Sequence, residues 1–362
     1  MGDPDRSDDV DAVVLVGGQG TRLRPLTLSA AKPMLPTAGV PFLAHLLSRI
    51  RAAGLRHVVL STSYRAETFS AHFGDGARFG LDIDYVVEDS PLGTGGAIRN
   101  VVDRLRGDTA MVFNGDILSG VDLRALLAAH RGAAAQVTLH LVRVADPTRF
   151  GSVPTDSDGR VLDFVEKSDD PPTDQINAGC YVFDRSTLQS IPAGRVVSVE
   201  RETFPGLLAS GARVHGYVDA SYWLDLGTPA AFVRGSADLV QGLAPTDALP
   251  GPVGVALTLP GCRVHPDAVL EGGSTVGAGA TVAQRARIDG SVLFDGAAVG
   301  AGAEVVRSVI GAGAVIGDGA VVSDAVIGDG ARIGARCELT GGIRVWPGVH
   351  LPDGGVRFSA DV

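Results

Sequence analysis

The chain has 362 residues, about two domains' worth, with 45% hydrophobic and 20% charged residues and a formal net charge of −10 at pH 7. That balance permits a sizeable core, while the acidity removes any general electrostatic drive toward nucleic acid or an anionic membrane, so a phosphate site has to be a local concentration of cations and backbone N–H groups. No apolar run approaches the roughly 18 residues of a membrane helix, and the opening MGDPDRSDDV lacks the basic start and apolar stretch of a signal peptide.

Residues 1–10 are expected to form a disordered tail. From Ala12 onward strand-like and helix-like segments alternate. Ala12–Val16 is an apolar run ending in glycines. Pro41 opens a helical pattern through Leu43, Leu46, Leu47 and Ile50, and Gly54 closes it. Val58–Leu60 reads as a strand, Gly95–Leu105 as a helix, and Ala110–Phe113 as a strand. Asp122 is placed to cap a helix ending near His130, and Val137–Val144 is strand-like again. This rhythm predicts an α/β, Rossmann-like domain over 11–240 with a mostly parallel sheet. Residues 241–256 read as a linker, with Pro and Gly crowded into QGLAPTDALPGPVG.

Residues 257–362 follow another grammar. Blocks of seventeen beginning at Ser274, Ser291, Ser308 and Ala325 align without a gap, and aliphatics recur about every six residues within them, as in Ile310, Ile316 and Val322. That period fits neither helix nor simple strand. It fits a solenoid with three short sides per coil, each side pointing one aliphatic inward. The pattern resembles the left-handed parallel β-helix of hexapeptide-repeat proteins. The closing segment Arg344–Val362 breaks the repeat, with Trp346 placed to cover the last coil's apolar end. Cys180, Cys262 and Cys337 form no CxxC or Cys/His cluster and are read as reduced, buried thiols of a cytoplasmic protein.

Five strings carry candidate chemistry. Gly17–Thr27, GGQGTRLRPLT, follows a strand, and its glycines let successive N–H groups converge on an anion. Arg22 and Lys32 add two cations, as a triphosphate requires. Leu92–Ala97, LGTGGA, is either a βα turn or a backbone wall for a nucleobase. Asn114-Gly115-Asp116 follows a strand, at the sheet edge where ligands bind; Asp116 suits a hard cation or a turn cap. Glu166-Lys167, followed by Asn177-Ala178-Gly179, offers groups for a phosphate and sugar hydroxyls. Tyr222–Pro229, YWLDLGTP, sets Asp225 among apolar neighbours, where a carboxylate needs a partner.

Together and in this order, these strings resemble the sugar-nucleotide pyrophosphorylase family over nearly the whole chain, coils included, and within it the members that make GDP-mannose. The resemblance implies transfer of GMP from GTP to mannose 1-phosphate, giving GDP-mannose and pyrophosphate, with Mg2+ as cofactor. It implies that Leu15, Gly17, Gly18, Gly20, Thr21, Arg22 and Lys32 hold the nucleotide, with Gly93 and Thr94 at the guanine and Asp116 beside the phosphates. Arg22 and Lys32, with Lys167, then carry catalysis. Gly151, Glu166, Lys167, Asn177 and Gly179 hold the sugar phosphate, and Asp116 and Asp225 bind the metal. Two departures, Ala31-Lys32-Pro33 for Pro-Lys-Pro and Glu166-Lys167-Ser168 for Glu-Lys-Pro, touch loop rigidity and remove no functional group.

Three rivals remain. One is the same reaction with another pair, such as glucose 1-phosphate with dTTP or ATP. Another is a hexapeptide acyltransferase, which commonly needs a His in the coils; none occurs from Ser274 to Gly341, and His265 and His350 read as surface residues. The third is a non-catalytic regulatory subunit, against which the joint presence of Arg22, Lys32, Asp116, Lys167 and Asp225 argues. The coils are expected to serve assembly or regulation, in a homo-oligomer.

Overall fold

A computed structural model describes residues 10–63 and 65–356. The chain forms two compact units. One is built from the chain up to Gly18 and from Leu46–Trp223; the other takes Gln19–His45 and everything from Leu224 onward.

The first unit is organised by a nine-stranded sheet. Thr109–Asn114, Val10–Leu15, His57–Thr62 and the edge strand Asp82–Val87 run parallel in that order. Gln175–Asp184 lies antiparallel to Thr109–Asn114 and to Val137–Arg143. The mostly parallel expectation therefore holds, with two reversed strands, the long Gln175–Asp184 and the two-residue Val165–Glu166. Val13, Val59, Val112, Tyr181 and Phe183 are fully buried in the core beneath it, as near-continuous apolar strands covered on both faces should be. Asp122 caps the Leu123–Gly132 helix, accepting from the N–H groups of Arg124 and Ala125.

Several local expectations shift. The first strand starts at Val10, inside the expected tail, and the rest of that tail lies outside the described residues. The Phe42–Ala52 helix begins after Pro41, which belongs to a two-residue strand. The helix expected over 95–105 starts at Gly93, ends at Asn100, and gives way to a separate 3-10 turn, Val102–Arg104.

In the second unit the coils stack into three parallel sheets of six, six and five short strands, an architecture that fits the left-handed β-helix. Thr275 pairs with Val292, Val292 with Val309 and Val309 with Val326, so the blocks of seventeen are the coils. Val276, Leu293, Ile310 and Ile327 fill one inner column, and Ala286, Ala303, Ala320 and Cys337 another. Cys337 is thus a small core residue in an alanine column; Cys180 is also buried, whereas Cys262 is only half-buried. The serines that open the blocks form a ladder, each hydroxyl accepting the N–H of the next block's first residue, as Ser308 N to Ser291 Oγ at 3.0 Å. Up to residue 356 the closing segment does not break the coil, and its last six residues lie outside the described residues. Arg344 pairs with Val326 and His350 with Arg332, one residue out of step, and Trp346 is 47% exposed. A single inserted residue is absorbed at a corner, where the chain is not in a ladder.

Candidate active site

The first strand ends in a crowded turn. Val16 N–H donates to Ser61 O at 2.9 Å, and Ser63 Oγ donates to the Gly17 carbonyl at 2.7 Å. A Cβ at Gly17 would stand 2.8 Å from that hydroxyl, so packing demands glycine there. A Cβ at Gly18 would meet nothing within 4 Å. On the adjacent strand, Gly115 N–H donates to Leu15 O at 2.9 Å, and a Cβ there would stand 2.7 Å from the same oxygen. That contact sets half-buried Asp116 immediately beside the glycine turn, at the carboxyl edge of the parallel strands.

A second group gathers around the long reversed strand. Between Asn177 and Tyr181 its pairing with Val137–Arg143 slips. Asn177 Oδ1 accepts Gly179 N–H at 3.0 Å, and its Nδ2 donates to the Tyr181 hydroxyl at 2.8 Å. Burial raises the Tyr181 phenol well above its ordinary value, so that hydroxyl stays protonated. Gly179 is left-handed (φ 76°), and a Cβ there would stand 2.8 Å from Asn114 Nδ2. Asn177 is therefore the brace of a bulge. Trp223 Nε1 donates to Ala178 O at 3.0 Å, and its ring meets Phe150 edge-on at 5.3 Å. Beyond Phe150, Gly151 pairs with Glu166, and a Cβ at Gly151 would stand 2.9 Å from Glu166 Oε2. Lys167, left-handed at φ 49°, extends Nζ to 3.5 Å from Glu166 Oε1 and is 61% exposed. Gly151 with Glu166 and Lys167, and Asn177 with Gly179 and Asn114, thus form two local groups joined where Ser152 pairs with Ile176.

The LGTGGA turn is accounted for differently. A Cβ at Gly93 would stand 2.6 Å from Val197 O, and one at Gly96 2.7 Å from Arg195 O. Thr94 Oγ1 donates to Glu200 at 2.7 Å and accepts Val199 N–H at 2.9 Å. These glycines admit the Arg195–Val199 segment, and the Thr94 hydroxyl is engaged with it. Glu88, which the sequence reading did not single out, ties this turn to the sheet: it accepts from Ser61 Oγ at 3.2 Å and from Leu92 N–H at 3.1 Å. Its only sequence signal is a carboxylate four residues before the turn.

The cations lie in the second unit. Gly20 is left-handed (φ 61°) and a Cβ there would press on Lys32 Cβ at 2.9 Å; Thr27 Oγ1 donates to its carbonyl at 2.9 Å. Thr21 and Arg22 sit on the 3-10 turn Thr21–Leu23, and Lys32 opens another, Lys32–Met34. Lys32 is 9% exposed, with Nζ 3.9 Å from Asp225 Oδ1. The Arg22 guanidinium lies over Gly227, where a Cβ would stand 2.6 Å from Nη2 and 3.0 Å from Asp225 Oδ1. Lys32 directly, and Arg22 across Gly227, are thus gathered at Asp225. Positive charge concentrated against one carboxylate is chemistry suited to polyphosphate.

Comparison with known proteins agrees with this chemistry. A family model described as nucleotidyl transferase matches residues 11–242, and one described as GMPPB C-terminal domain matches 253–349. The chain is 65% identical to a mannose-1-phosphate guanylyltransferase of Mycobacterium tuberculosis, covering 98% of this chain and 99% of that protein. It is 32% identical to mannose-1-phosphate guanylyltransferase 1 of Arabidopsis thaliana, over 75% of this chain and 80% of that one. Among solved structures it resembles HddC from Yersinia pseudotuberculosis complexed with GMP-PN, at 28% identity and a TM-score of 0.56, covering 63% of this chain and 99% of that chain. With a family model matched across the sheet domain and a relative aligned from end to end, the chain belongs to the nucleotidyl transferase family.

Proposed function

We propose that this protein transfers GMP from GTP to mannose 1-phosphate, releasing pyrophosphate and GDP-mannose. The observation that carries the reading is the near full-length likeness to the Mycobacterium tuberculosis mannose-1-phosphate guanylyltransferase. In the proposed reaction a phosphate oxygen of the sugar phosphate attacks the α-phosphorus in line. The new P–O bond forms as the bond to the β-phosphate bridge breaks, and pyrophosphate departs with that electron pair. A phosphate monoester is already a nucleophile, so positioning and charge neutralisation suffice, without a strong general base.

The residues take roles that fit their surroundings. Gly17, Gly18, Gly20 and Thr21, after Leu15, receive the triphosphate; Arg22 neutralises the α-phosphate, and Lys32 the departing β,γ-phosphates. Gly93 and Thr94 line the guanine through backbone atoms, since the Thr94 hydroxyl is engaged elsewhere. Lys167 holds the sugar phosphate, with a largely exposed ammonium free to turn toward it. Glu166, Gly151, Asn177 and Gly179 hold the mannose.

Mg2+ is the proposed metal, with Asp116 and Asp225 as its carboxylate ligands. Among the described residues no group of three or more His, Cys, Asp or Glu side chains stands ready as a cage. Two carboxylates fit Mg2+ nonetheless, because it is commonly held by one or two carboxylates plus substrate phosphates and water. When bound, it supplies further neutralisation of phosphate charge.

In this reading residues 11–240 are the catalytic domain, 241–256 a linker and 257–362 the β-helix, in a cytoplasmic homo-oligomer that binds neither nucleic acid nor membrane. Among the described residues no helix is long and apolar enough to cross a membrane. The test is pyrophosphate release with Mg2+ across GTP, ATP, UTP and dTTP, each with mannose or glucose 1-phosphate. GTP with mannose 1-phosphate should dominate. Another dominant pair would overturn the base and sugar assignment, and silence from folded protein would favour a regulatory subunit.

A further inference from the structure

The three outer faces of the β-helix differ. On one sheet the outward column runs Thr275, Val292, Val309, Val326 and Arg344. Thr275 and the three valines are at most 2% exposed. On the second sheet the outward column Thr281, Ala298, Val315 and Arg332 is half-buried or exposed, as is Arg287, Glu304, Val321 and Glu338 on the third. What covers the first column is the segment that carries the cations. Leu23, Leu26 and Leu35, each 1% exposed, pack with Phe232 and Val233 onto Val292, Val309, Val326 and Phe294. Leu23 is the neighbour of Arg22, and Leu35 N–H closes the Lys32 turn by donating to Lys32 O at 3.1 Å. The valine column ends in Arg344, whose Nη1 donates to Arg24 O at 2.9 Å. Arg24 in turn closes the turn bearing Arg22, its N–H donating to Thr21 O at 3.2 Å.

We infer that the β-helix is a positioning part of the phosphate site as well as an assembly module, and that Arg344 of the last coil is a positioning residue for Arg22. Leu23, Leu26 and Leu35 anchor the cation segment to the coil face. Arg344 pins the same segment at its exposed end, where apolar packing stops. Arg22 acts on the nucleotide and Arg344 acts only through the Arg24 carbonyl. A guanidinium suits this task, because it keeps its charge and offers several donors in a fixed plane. The inference rests on the proposed function only for which substrate Arg22 meets.

The test compares Arg344→Ala, Arg344→Lys and Arg332→Ala, the last removing an exposed outward arginine from the neighbouring sheet. With Arg344→Ala, kcat/KM for GTP should fall about five- to tenfold, the effect of losing one exposed hydrogen bond, while KM for mannose 1-phosphate and Tm stay unchanged. Arg344→Lys should recover much of the loss, and Arg332→Ala should behave as wild type. Amide hydrogen exchange over Thr21–Thr27 should quicken in Arg344→Ala alone. That readout needs no turnover, so it decides the inference even if the wild type proves inactive and the proposed function fails. Unchanged kinetics and exchange in Arg344→Ala, or equal losses for both substrates with a lowered Tm, would overturn it. If the alanine variant does not fold, Arg344→Gln, polar but too short to reach the Arg24 carbonyl, carries the same comparison, and unchanged exchange with no GTP-specific loss in it would also overturn the inference.

Discussion

The sheet unit and the β-helix use glycine for opposite reasons. In the sheet unit the crowded glycines each answer to a different distant residue: Gly115 to Leu15, Gly179 to Asn114, Gly93 to Val197. In the coils the reasons recur with the repeat. Gly279, Gly296, Gly313 and Gly330 take the same left-handed corner, and Gly300, Gly311 and Gly317 each admit the backbone of the next coil. A repeat copies its own environment, so one position's physics predicts its column. A long-range sheet has no such copies, and each close approach is a separate event.

The largest effect that sharpens this contrast lies in the sheet unit. Asp116→Ala changes one non-repeated carboxylate and should lower turnover on the order of a thousandfold, with Tm little changed. Near-normal turnover at saturating Mg2+ would break the proposed role.

Titration separates the units next. His45, in the second unit, is buried between Thr246 Oγ1 and Thr37 O; burial lowers its pKa from 6.5 to about 4, against the smaller opposing effect of the Thr37 carbonyl. Between those values the unfolded chain takes up a proton that the folded chain refuses. Stability should therefore fall by about 3 kcal/mol as pH drops from 6.5 to 4. His57, in the first unit, behaves oppositely: burial lowers its pKa, but hydrogen bonds to Asp11 and Asp84 outweigh burial and the net shift is upward. Its stabilisation is complete below pH 6.5 and is lost as pH rises through the folded value. Denaturant titrations should show His45→Gln flattening the acid limb and His57→Gln flattening the limb above pH 6.5. Unchanged limbs would show that other groups dominate.

The smallest effects lie within one coil. A Cβ at Gly311 would stand 2.6 Å from Asp329 N, in the backbone of the next coil. Gly311→Ala should cost about 3 kcal/mol as overpacking. Gly313 is left-handed (φ 63°) but open, and Arg285, Arg307, Asp324 and Arg336 hold left-handed corners without glycine. Gly313→Ala should cost only about 1 kcal/mol. Equal costs in thermal melts would contradict the distinction between corner and contact glycines.

Much was legible in the sequence because its causes are local. The coil period, the alternation of strand and helix, the Asp122 cap and the glycine turn before Arg22 each depend on residues a few positions apart. So did the grouping of Gly17–Thr27, whose order with the later strings carried the family resemblance. Tertiary structure alone decided the rest. The leucines at 23, 26 and 35 are apolar in any reading, but which surface they cover depends on valines nearly three hundred residues away along the chain. The glycines at 93 and 96 could equally admit a base or a neighbouring strand, and only the position of Val197 and Arg195 shows what fills the space. Asn177 offers the same amide whether it meets a sugar or braces a bulge, and Arg344 reads as the start of a tail until its column is seen to continue. Periodicity and caps are written in backbone geometry; burial is a property of two surfaces, and a single sequence presents them one at a time.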